Sequence, residues 1–231
     1  MSLIIALDFS DLEPCKKILE ALRGLVKIYK VGSELFTAHG WQAVELVHKY
    51  EGKVFLDLKL HDIPTTVAKT SRVIAERGVF MFNVHALGGL AMMQEARRAV
   101  SEASQKGSKP LLVAVTILTS LEEKSLSDEL GIARSLQDEV VFLASLAQQA
   151  GLDGVVCSPE EAETLRRKLG SDFILVTPGI RSPKDRPDDQ RRSLTPKEAI
   201  RRGANYLVVG RPVTTSPDPR RAASEILQSL V

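Results

Sequence analysis

The chain has 231 residues, 44% hydrophobic and 26% charged, which is the composition of an ordinary folded protein. Its 31 basic and 29 acidic residues leave a formal net charge of +2. This near balance argues against a nucleic-acid binder, since such proteins concentrate positive charge on one surface. The length is enough to bury a sizeable core, in one large α/β domain or in two small ones.

Three features of the sequence predict a soluble protein of the reducing cytoplasm. Cys15 and Cys157 lie far apart and have no metal-ligand spacing, so we expect two free thiols. The first residues reach Asp8 without a basic leader, unlike a signal peptide. No apolar run approaches the roughly 20 residues that a membrane span needs.

Short apolar segments recur along the chain, and each is followed by apolar residues at helical spacing, as at Ile18, Leu19 and Leu22. Near-continuous apolar strands that alternate with amphipathic helices predict a parallel sheet covered by helices. The predicted strands are residues 3–9, 28–32, 53–60, 81–86, 111–118, 154–158, 173–179 and 206–210.

Eight such strand–helix units predict an α/β protein with a (β/α)₈ TIM barrel, near the small end of the usual size for this fold. The alternative is a doubly wound open sheet. No Gly-x-Gly-x-x-Gly follows the first strand, and open sheets more often have five to seven strands. We therefore expect a single barrel domain over residues 1–231.

Residues 55–66 carry Asp57, Lys59, His61 and Asp62 in a segment that begins as an apolar strand. Strand side chains alternate between faces, so Asp57 and Lys59 are expected to point the same way. Burying charges costs several kcal/mol per ion unless they are paired, and a simple salt bridge would satisfy one such pair. With Asp62 the group becomes a network, in which two carboxylates hold Lys59 protonated. Such a site can repel an anion and then deliver a proton.

The predicted barrel directs further polar residues to one end. Barrel enzymes keep their active sites at the carboxyl ends of the strands. Taken singly, Asp8 could be a helix cap and His85 an interior histidine, but their agreement across most strands indicates a common site. The residues predicted to approach this mouth are Asp8, Lys30, Asp57, Lys59, His85, Thr116, Thr119, Arg181, Gly210 and Arg211.

The last two strands indicate a phosphate site. Barrels often bind phosphate in the loops after strands seven and eight. Gly210 allows close approach of the backbone, and Arg211 offers a planar fork that suits phosphate oxygens. Arg181 and Gln190 lie on a long polar loop and are expected to fold over the same group. The sequence therefore predicts a phosphorylated small-molecule ligand.

We expect neither a metal nor a cofactor. The four histidines, His39, His48, His61 and His85, include no pair at metal-ligand spacing. The carboxylates of the central motif already have lysines as counter-charges. No cofactor fingerprint is present in the sequence.

Over essentially its whole length the sequence resembles the orotidine 5′-phosphate decarboxylase family. The block with the most specific resemblance is Asp57-Leu-Lys59-Leu-His61-Asp62-Ile-Pro64. The other blocks, in chain order, are Ala6-Leu7-Asp8, Lys30-Val-Gly-Ser-Glu-Leu-Phe36, Asn83-Val-His85-Ala, Val115-Thr-Ile-Leu-Thr119-Ser, Thr177-Pro-Gly-Ile-Arg181, Asp189-Gln190 and Val209-Gly210-Arg211-Pro212.

The resemblance implies a homodimeric barrel that converts orotidine 5′-monophosphate to uridine 5′-monophosphate and CO₂ without a cofactor, as the last step of pyrimidine nucleotide synthesis. It implies that Lys59 donates the proton and that Asp57 faces the substrate carboxylate. It also implies that Asp62 and Thr66 reach into the site of the partner subunit. The implied substrate-binding residues are Asp8 and Lys30 at the ribose, Thr119 at the pyrimidine, and Arg181, Gln190, Gly210 and Arg211 at the phosphate.

Two other functions remain open from the residues. A related magnesium-dependent decarboxylase acts on 3-keto-L-gulonate 6-phosphate and shares the Asp-x-Lys-x-x-Asp pattern, although Ile63-Pro64 and the loop from Arg181 to Gln190 speak against it. A barrel that only binds a nucleotide is the second alternative. The intact set of Asp57, Lys59 and Asp62 argues against a pure binder.

Overall fold

The structure is a computed structural model, and it describes residues 2–103, 109–180 and 194–230. Eight parallel strands close into a barrel in chain order, which confirms the predicted fold class. The strands are β1 (Ser2–Ala6), β2 (Ile28–Gly32), β3 (Lys53–Leu60), β4 (Met81–His85), β5 (Leu111–Val115), β6 (Gly154–Val156), β7 (Ile174–Thr177) and β8 (Tyr206–Val209).

Helices cover the outside of the barrel. They are α1 (Leu12–Leu22), α2 (Ser33–His39), α3 (Trp41–Lys49), α4 (Pro64–Glu76), α5 (Gly89–Ala103), α6 (Glu123–Asp128), α7 (Leu136–Gln149), α8 (Ala162–Leu169), α9 (Pro196–Arg201), α10 (Arg211–Thr214) and α11 (Pro219–Gln228). A short 3₁₀ turn (Ala86–Gly88) follows β4. None of the helices in the described ranges is long and apolar enough to cross a lipid bilayer.

Some predicted strands extend past the observed ends into the loops at the mouth of the barrel. The prediction ran β1 to residue 9 and β5 to residue 118, whereas the ladders end at Ala6 and Val115. The apolar character continues because Leu7 and Ile117, which lie beyond the last strand residues, are still buried. Burial alone therefore did not mark where each strand ends.

Strand alternation divides the core into two apolar layers. The outer layer lies between the strands and the helices; α1, for example, buries Cys15, Ile18, Leu19 and Leu22 against it. The inner layer fills the barrel itself. Its fully packed members are Ile4, Ala6, Ile28, Phe55, Met81, Val113, Val176 and Val208. The next inward position toward the mouth is Lys30 in β2, Asp57 in β3 and Asn83 in β4, so charged and polar groups stand on an apolar floor.

Pairing between β3 and β4 is irregular at the mouth. Leu56 pairs with Phe82, but the next pair along the ladder is Leu60 with Val84. The β3 segment between these pairs is therefore two residues longer than the β4 segment that it faces, which makes it a β-bulge. Lys59 lies in this bulge with a φ of 52°, in the left-handed region that side chains rarely adopt. Such a conformation costs about 1–2 kcal/mol.

Candidate active site

A cavity of about 870 Å³ opens at the carboxyl ends of the strands, within the size range of small-molecule sites. Inward side chains such as Phe55, Val115 and Val156 form its apolar wall. The predicted residues that the structure brings together around this cavity are Asp8, Lys30, Asp57, Lys59, Thr119, Gly210 and Arg211.

Four of these residues form a row of alternating charges across three neighbouring strands. Lys30 Nζ lies 2.7 Å from Asp8 Oδ1 and 3.4 Å from Asp57 Oδ2. Lys59 Nζ lies 2.8 Å from Asp57 Oδ1. The side chain of Asp57 is 13% exposed and that of Lys59 is 36% exposed. The buried carboxylate is thus held between two ammonium groups, and the outer ammonium faces the cavity.

The pKa values of the two most buried members move in opposite directions. Burial raises the pKa of the Asp57 carboxyl, but the charges of Lys30 and Lys59, with hydrogen bonds from Lys59 and Asn83, together lower that pKa below its usual value. Burial lowers the pKa of Lys30, but Asp57 and Asp8 more than compensate and raise it. Both groups therefore stay charged at neutral pH, so the electrostatic field in the cavity is in place before any ligand enters.

Asn83 and Gly32 support this row, although the sequence analysis assigned neither of them a role in the site. Asn83 is fully buried; its Nδ2 donates to Asp57 Oδ1 at 2.7 Å, and its Oδ1 accepts the Lys59 backbone N–H at 2.8 Å. A Cβ on Gly32 would lie 2.9 Å from Lys30 Nζ, so glycine leaves the space that the lysine occupies. A buried amide in an apolar strand was the available signal for Asn83, whereas nothing in the sequence marked Gly32.

Asp62 and Thr66 do not line the cavity of their own chain. Both are exposed, and Asp62 Oδ1 accepts the backbone N–H of Ile63 at 2.6 Å. Within the described ranges, Lys59 forms an ion pair with Asp57 and none with Asp62. A single chain therefore supplies one of the two carboxylates that the sequence placed beside Lys59.

His85 and Thr116 also lie outside the cavity, although they were predicted at the mouth. The His85 ring stacks on His61 with 5.4 Å between centroids, and its Nδ1 accepts the Leu87 N–H at 3.4 Å. Burial, then the charges of His61 and Lys59, lower the pKa of His85 to about 4. Thr116 is buried, and its hydroxyl donates to the Val156 carbonyl. It does not face the cavity because its neighbours Val115 and Ile117 occupy the inward positions there.

The structure describes only some of the predicted phosphate-binding residues. Gly210 and Arg211 border the cavity where β8 leads into α10. The predicted partners Arg181 and Gln190 fall outside the described residues. Among residues 2–103, 109–180 and 194–230, no group of three or more His, Cys, Asp or Glu side chains is placed to hold a metal ion.

Known proteins are similar to this sequence over nearly its whole length. Residues 1–226 match the model of the Orotidine 5′-phosphate decarboxylase / HUMPS family. The chain is 48% identical over 226 residues to orotidine 5′-phosphate decarboxylase of Moorella thermoacetica, covering 97% of this chain and 90% of the relative. Identity to the same enzyme of Legionella pneumophila (strain Corby) is 49% over 228 residues, covering 99% and 98%.

A solved structure shows the same architecture. The crystal structure of orotidine 5′-phosphate decarboxylase from Lactobacillus acidophilus superimposes with a TM-score of 0.87 at 37% sequence identity. The superposition covers 99% of this chain and 98% of that one. The similarity therefore extends over the whole barrel and includes every strand that contributes to the cavity.

Proposed function

The chain belongs to the orotidine 5′-phosphate decarboxylase family and converts orotidine 5′-monophosphate to uridine 5′-monophosphate and CO₂ in pyrimidine synthesis, and we propose that Lys59 carries the chemical step. The supporting observation is the 2.8 Å ion pair of Lys59 with the buried carboxylate of Asp57 at the cavity. We assign the catalytic domain to residues 1–231, since β1 pairs with β8 and closes the barrel from the first strand to the last.

The chemistry requires a fixed cation beside the reacting carbon. When the bond from C6 of the pyrimidine to the carboxylate breaks, the electron pair stays on C6 in an orbital outside the ring π system. A preorganised charge must stabilise this localised carbanion. Lys59 supplies that charge and then transfers a proton from Nζ to C6. Lys59 is left neutral and regains its proton from solvent, so no cofactor enters the balance.

Asp57 acts on the substrate carboxylate and also forms an ion pair with Lys59. Its carboxylate is held ionised by Lys30 and Lys59, so it presents a negative charge to the substrate carboxylate. The repulsion is relieved when CO₂ leaves, whereas the attraction between Lys59 and C6 grows as the carbanion forms. Interactions that strengthen toward the transition state are the ones that raise the rate.

The order of the strands matches the order of the parts of a nucleotide. In the closed barrel β8, β1, β2 and β3 are neighbours, and they carry Arg211, Asp8, Lys30 and Lys59 in that sequence. We assign the phosphate to Gly210 and Arg211, with Arg181 and Gln190 of the segment between β7 and α9. We assign the ribose hydroxyls to Asp8 and Lys30. Thr119, across the cavity on the β5 side, is assigned to the pyrimidine.

We further propose that the enzyme is a homodimer with shared sites, in which Asp62 and Thr66 complete the site of the partner subunit. The support is their exposure beside the cavity, together with exposed apolar side chains on the same side of the barrel. Ile63, directly after Asp62, is 64% exposed, and Val73 of α4 and Leu87 after β4 are also exposed. A partner that covered these side chains would bring its own Asp62 toward this mouth.

We place the enzyme in the cytoplasm. Cys15 and Cys157, the two cysteines of the chain, are both buried and are not joined by a disulfide, as expected of a protein that folds in a reducing compartment. Burial raises the pKa of the Cys15 thiol to about 12, which keeps this thiol protonated and unreactive.

The test of the chemical role is to follow the ultraviolet absorbance of orotidine 5′-monophosphate as its carboxyl group is lost. Lys59→Ala should lower the turnover rate by at least about a hundredfold, the effect of losing one preorganised electrostatic group. The matched control is Lys27→Ala, which removes an exposed lysine at the opposite end of the barrel. Turnover by Lys59→Ala within tenfold of the parent enzyme would refute the assignment.

The same assay, run with and without EDTA, tests both alternatives. A magnesium-dependent decarboxylase of 3-keto-L-gulonate 6-phosphate requires its metal and acts on a different substrate, whereas decarboxylation of orotidine 5′-monophosphate that relies on Lys59 should be indifferent to the chelator. A barrel that only binds nucleotide would show no change of absorbance under either condition.

A further inference from the structure

Asn83 connects the two central residues of the site through both ends of its side-chain amide. We propose that Asn83 is a positioning residue that fixes the Lys59 backbone and the Asp57 carboxylate relative to each other, so that its loss lowers the rate of decarboxylation rather than the binding of substrate. The proposal rests on the role proposed above for Lys59.

The bulge in β3 changes the hydrogen bonding of Lys59. Between Leu56 and Leu60 the ladder with β4 is interrupted, so the backbone N–H of Lys59 loses its regular partner. A buried N–H without an acceptor is strongly unfavourable. Asn83 Oδ1 accepts this N–H at 2.8 Å and thus replaces the missing ladder bond at the residue with a φ of 52°. The unusual backbone of Lys59 is therefore held by a side chain of the neighbouring strand.

The site requires both the hydrogen-bond donor and the hydrogen-bond acceptor of an amide. The Lys59 N–H is a donor and needs an acceptor, whereas the Asp57 carboxylate accepts only and needs a donor. Asn83 meets both needs in one orientation, with Nδ2 on Asp57 and Oδ1 toward Lys59. Because Asn83 has no exposed surface, bulk water does not reach it as a substitute partner.

The Asn83 amide also determines how Lys59 is oriented, and hence the rate of the chemical step. Asp57 Oδ1 receives Asn83 Nδ2 at 2.7 Å and Lys59 Nζ at 2.8 Å, so the same oxygen is bound by the amide and by the ammonium. If Asp57 rotated, the ion pair that aims Lys59 at the cavity would change with it. The phosphate side of the cavity lies on β8, away from β4, and would be unaffected.

The first experiment separates the rate from binding. Asn83→Leu removes both hydrogen bonds and keeps the approximate size of the side chain. We expect kcat to fall about a hundredfold, as for a misplaced catalytic group, while KM stays within about threefold. Thr116→Val is the matched control, since it removes a buried side-chain hydrogen bond near the end of β5 without touching the charged row, and its kcat should equal that of the parent.

The second experiment uses pH and does not depend on whether Asn83→Leu folds. Asn83→Asp keeps an acceptor for the Lys59 N–H but places a second carboxylate against Asp57. A proton shared between the two carboxyls restores the donor. The ratio of the Asn83→Asp rate to the parent rate should therefore rise as the pH is lowered from 8 to 5.5. The other charged or titratable groups near the pair, Lys30, Lys59 and the neutral His85, occur in both proteins, so their own effects on the rate largely cancel in the ratio.

The outcomes distinguish a failure of this proposal from a failure of the role of Lys59. A ratio that is flat with pH, or an Asn83→Leu enzyme with the parent kcat, would overturn the positioning role. An effect confined to KM would overturn it too. If Lys59→Ala itself keeps the parent turnover, the assignment of Lys59 fails first, and the Asn83 variants then lack their premise.

Discussion

Two inactive variants should restore activity when their subunits are exchanged. The structure places Asp57 2.8 Å from Lys59 of the same chain, whereas Asp62 is exposed and makes no ion pair with Lys59 within the described part of the chain. If Asp62 instead completes the site of the partner, a site takes Lys59 from one chain and Asp62 from the other. Lys59→Ala and Asp62→Ala homodimers are then each defective at both sites.

The magnitude of recovery follows from the symmetry of the dimer. Random exchange of equal amounts gives about half heterodimers. In each heterodimer one site has lost both residues, and the other site has Lys59 from one chain and Asp62 from the other. About a quarter of all sites are therefore intact, so activity should approach about a quarter of that of the parent.

The assay is the loss of orotidine 5′-monophosphate absorbance after the subunits have been exchanged, with the exchange verified by native mass spectrometry. The matched control mixes Lys59→Ala with Asp57→Ala. These two residues belong to the same chain's site, so every site in that mixture lacks one of them and no activity should return. Equal results for the two mixtures would show that each site is built from a single chain.

Three further predictions concern the phosphate, the space around Lys30 and the acid stability of the fold. Arg211→Ala should raise KM and lower kcat for orotidine 5′-monophosphate, because phosphate binding energy drives site assembly. Turnover of orotidine, which lacks the phosphate, should change much less. Equal losses for the two substrates would show that Arg211 supports the fold and not the phosphate. Gly32→Ala should lower kcat/KM on the order of tenfold without unfolding the barrel, because its Cβ would displace Lys30 Nζ, and unchanged kinetics would show that Lys30 has room to move. The folded-state pKa of His85, about 4, lies below its ordinary value of 6.5, so the unfolded chain binds more protons between these values and stability falls as the pH is lowered through this window. By denaturant titration, the parent should lose more of its free energy of unfolding than His85→Gln between pH 7 and pH 4, by about 1–2 kcal/mol because solvent screens a half-buried group. Equal losses would contradict this protonation state of His85.

The fold was predictable because each strand of a parallel barrel is buried on both faces. Because of this burial, each strand appears in the sequence as a continuous apolar run. The helical periodicity between the runs identifies the βα units. The exact ends of the strands were less predictable. Leu7 and Ile117 are as apolar as the strand residues before them and equally buried, yet they lie beyond the ends of β1 and β5. A strand ends where its hydrogen-bond pairing stops, and the hydrophobicity of the residues does not show that position.

The charged residues of the site were predictable for a different reason. Burying a carboxylate or an ammonium at the end of an apolar strand costs free energy unless the charge is paired, so such residues indicate a site. For this reason the sequence points to Asp8, Lys30, Asp57 and Lys59. Thr116 shows the limit of that reasoning, because a hydroxyl can bond a neighbouring carbonyl and be buried on either face. Gly32 shows a second limit, since its contribution is the space that it leaves for Lys30.

Lys59 itself shows why a correct prediction can rest on an incomplete picture. Alternation along a regular strand places Asp57 and Lys59 on one face, and the structure has them in contact. The strand is not regular there, however, because the bulge intervenes and the lysine adopts a positive φ. A strained backbone persists only where its surroundings hold it. Here the holding group is the Asn83 amide on the next strand, so the geometry of the catalytic pair depends on a contact that no local sequence pattern encodes.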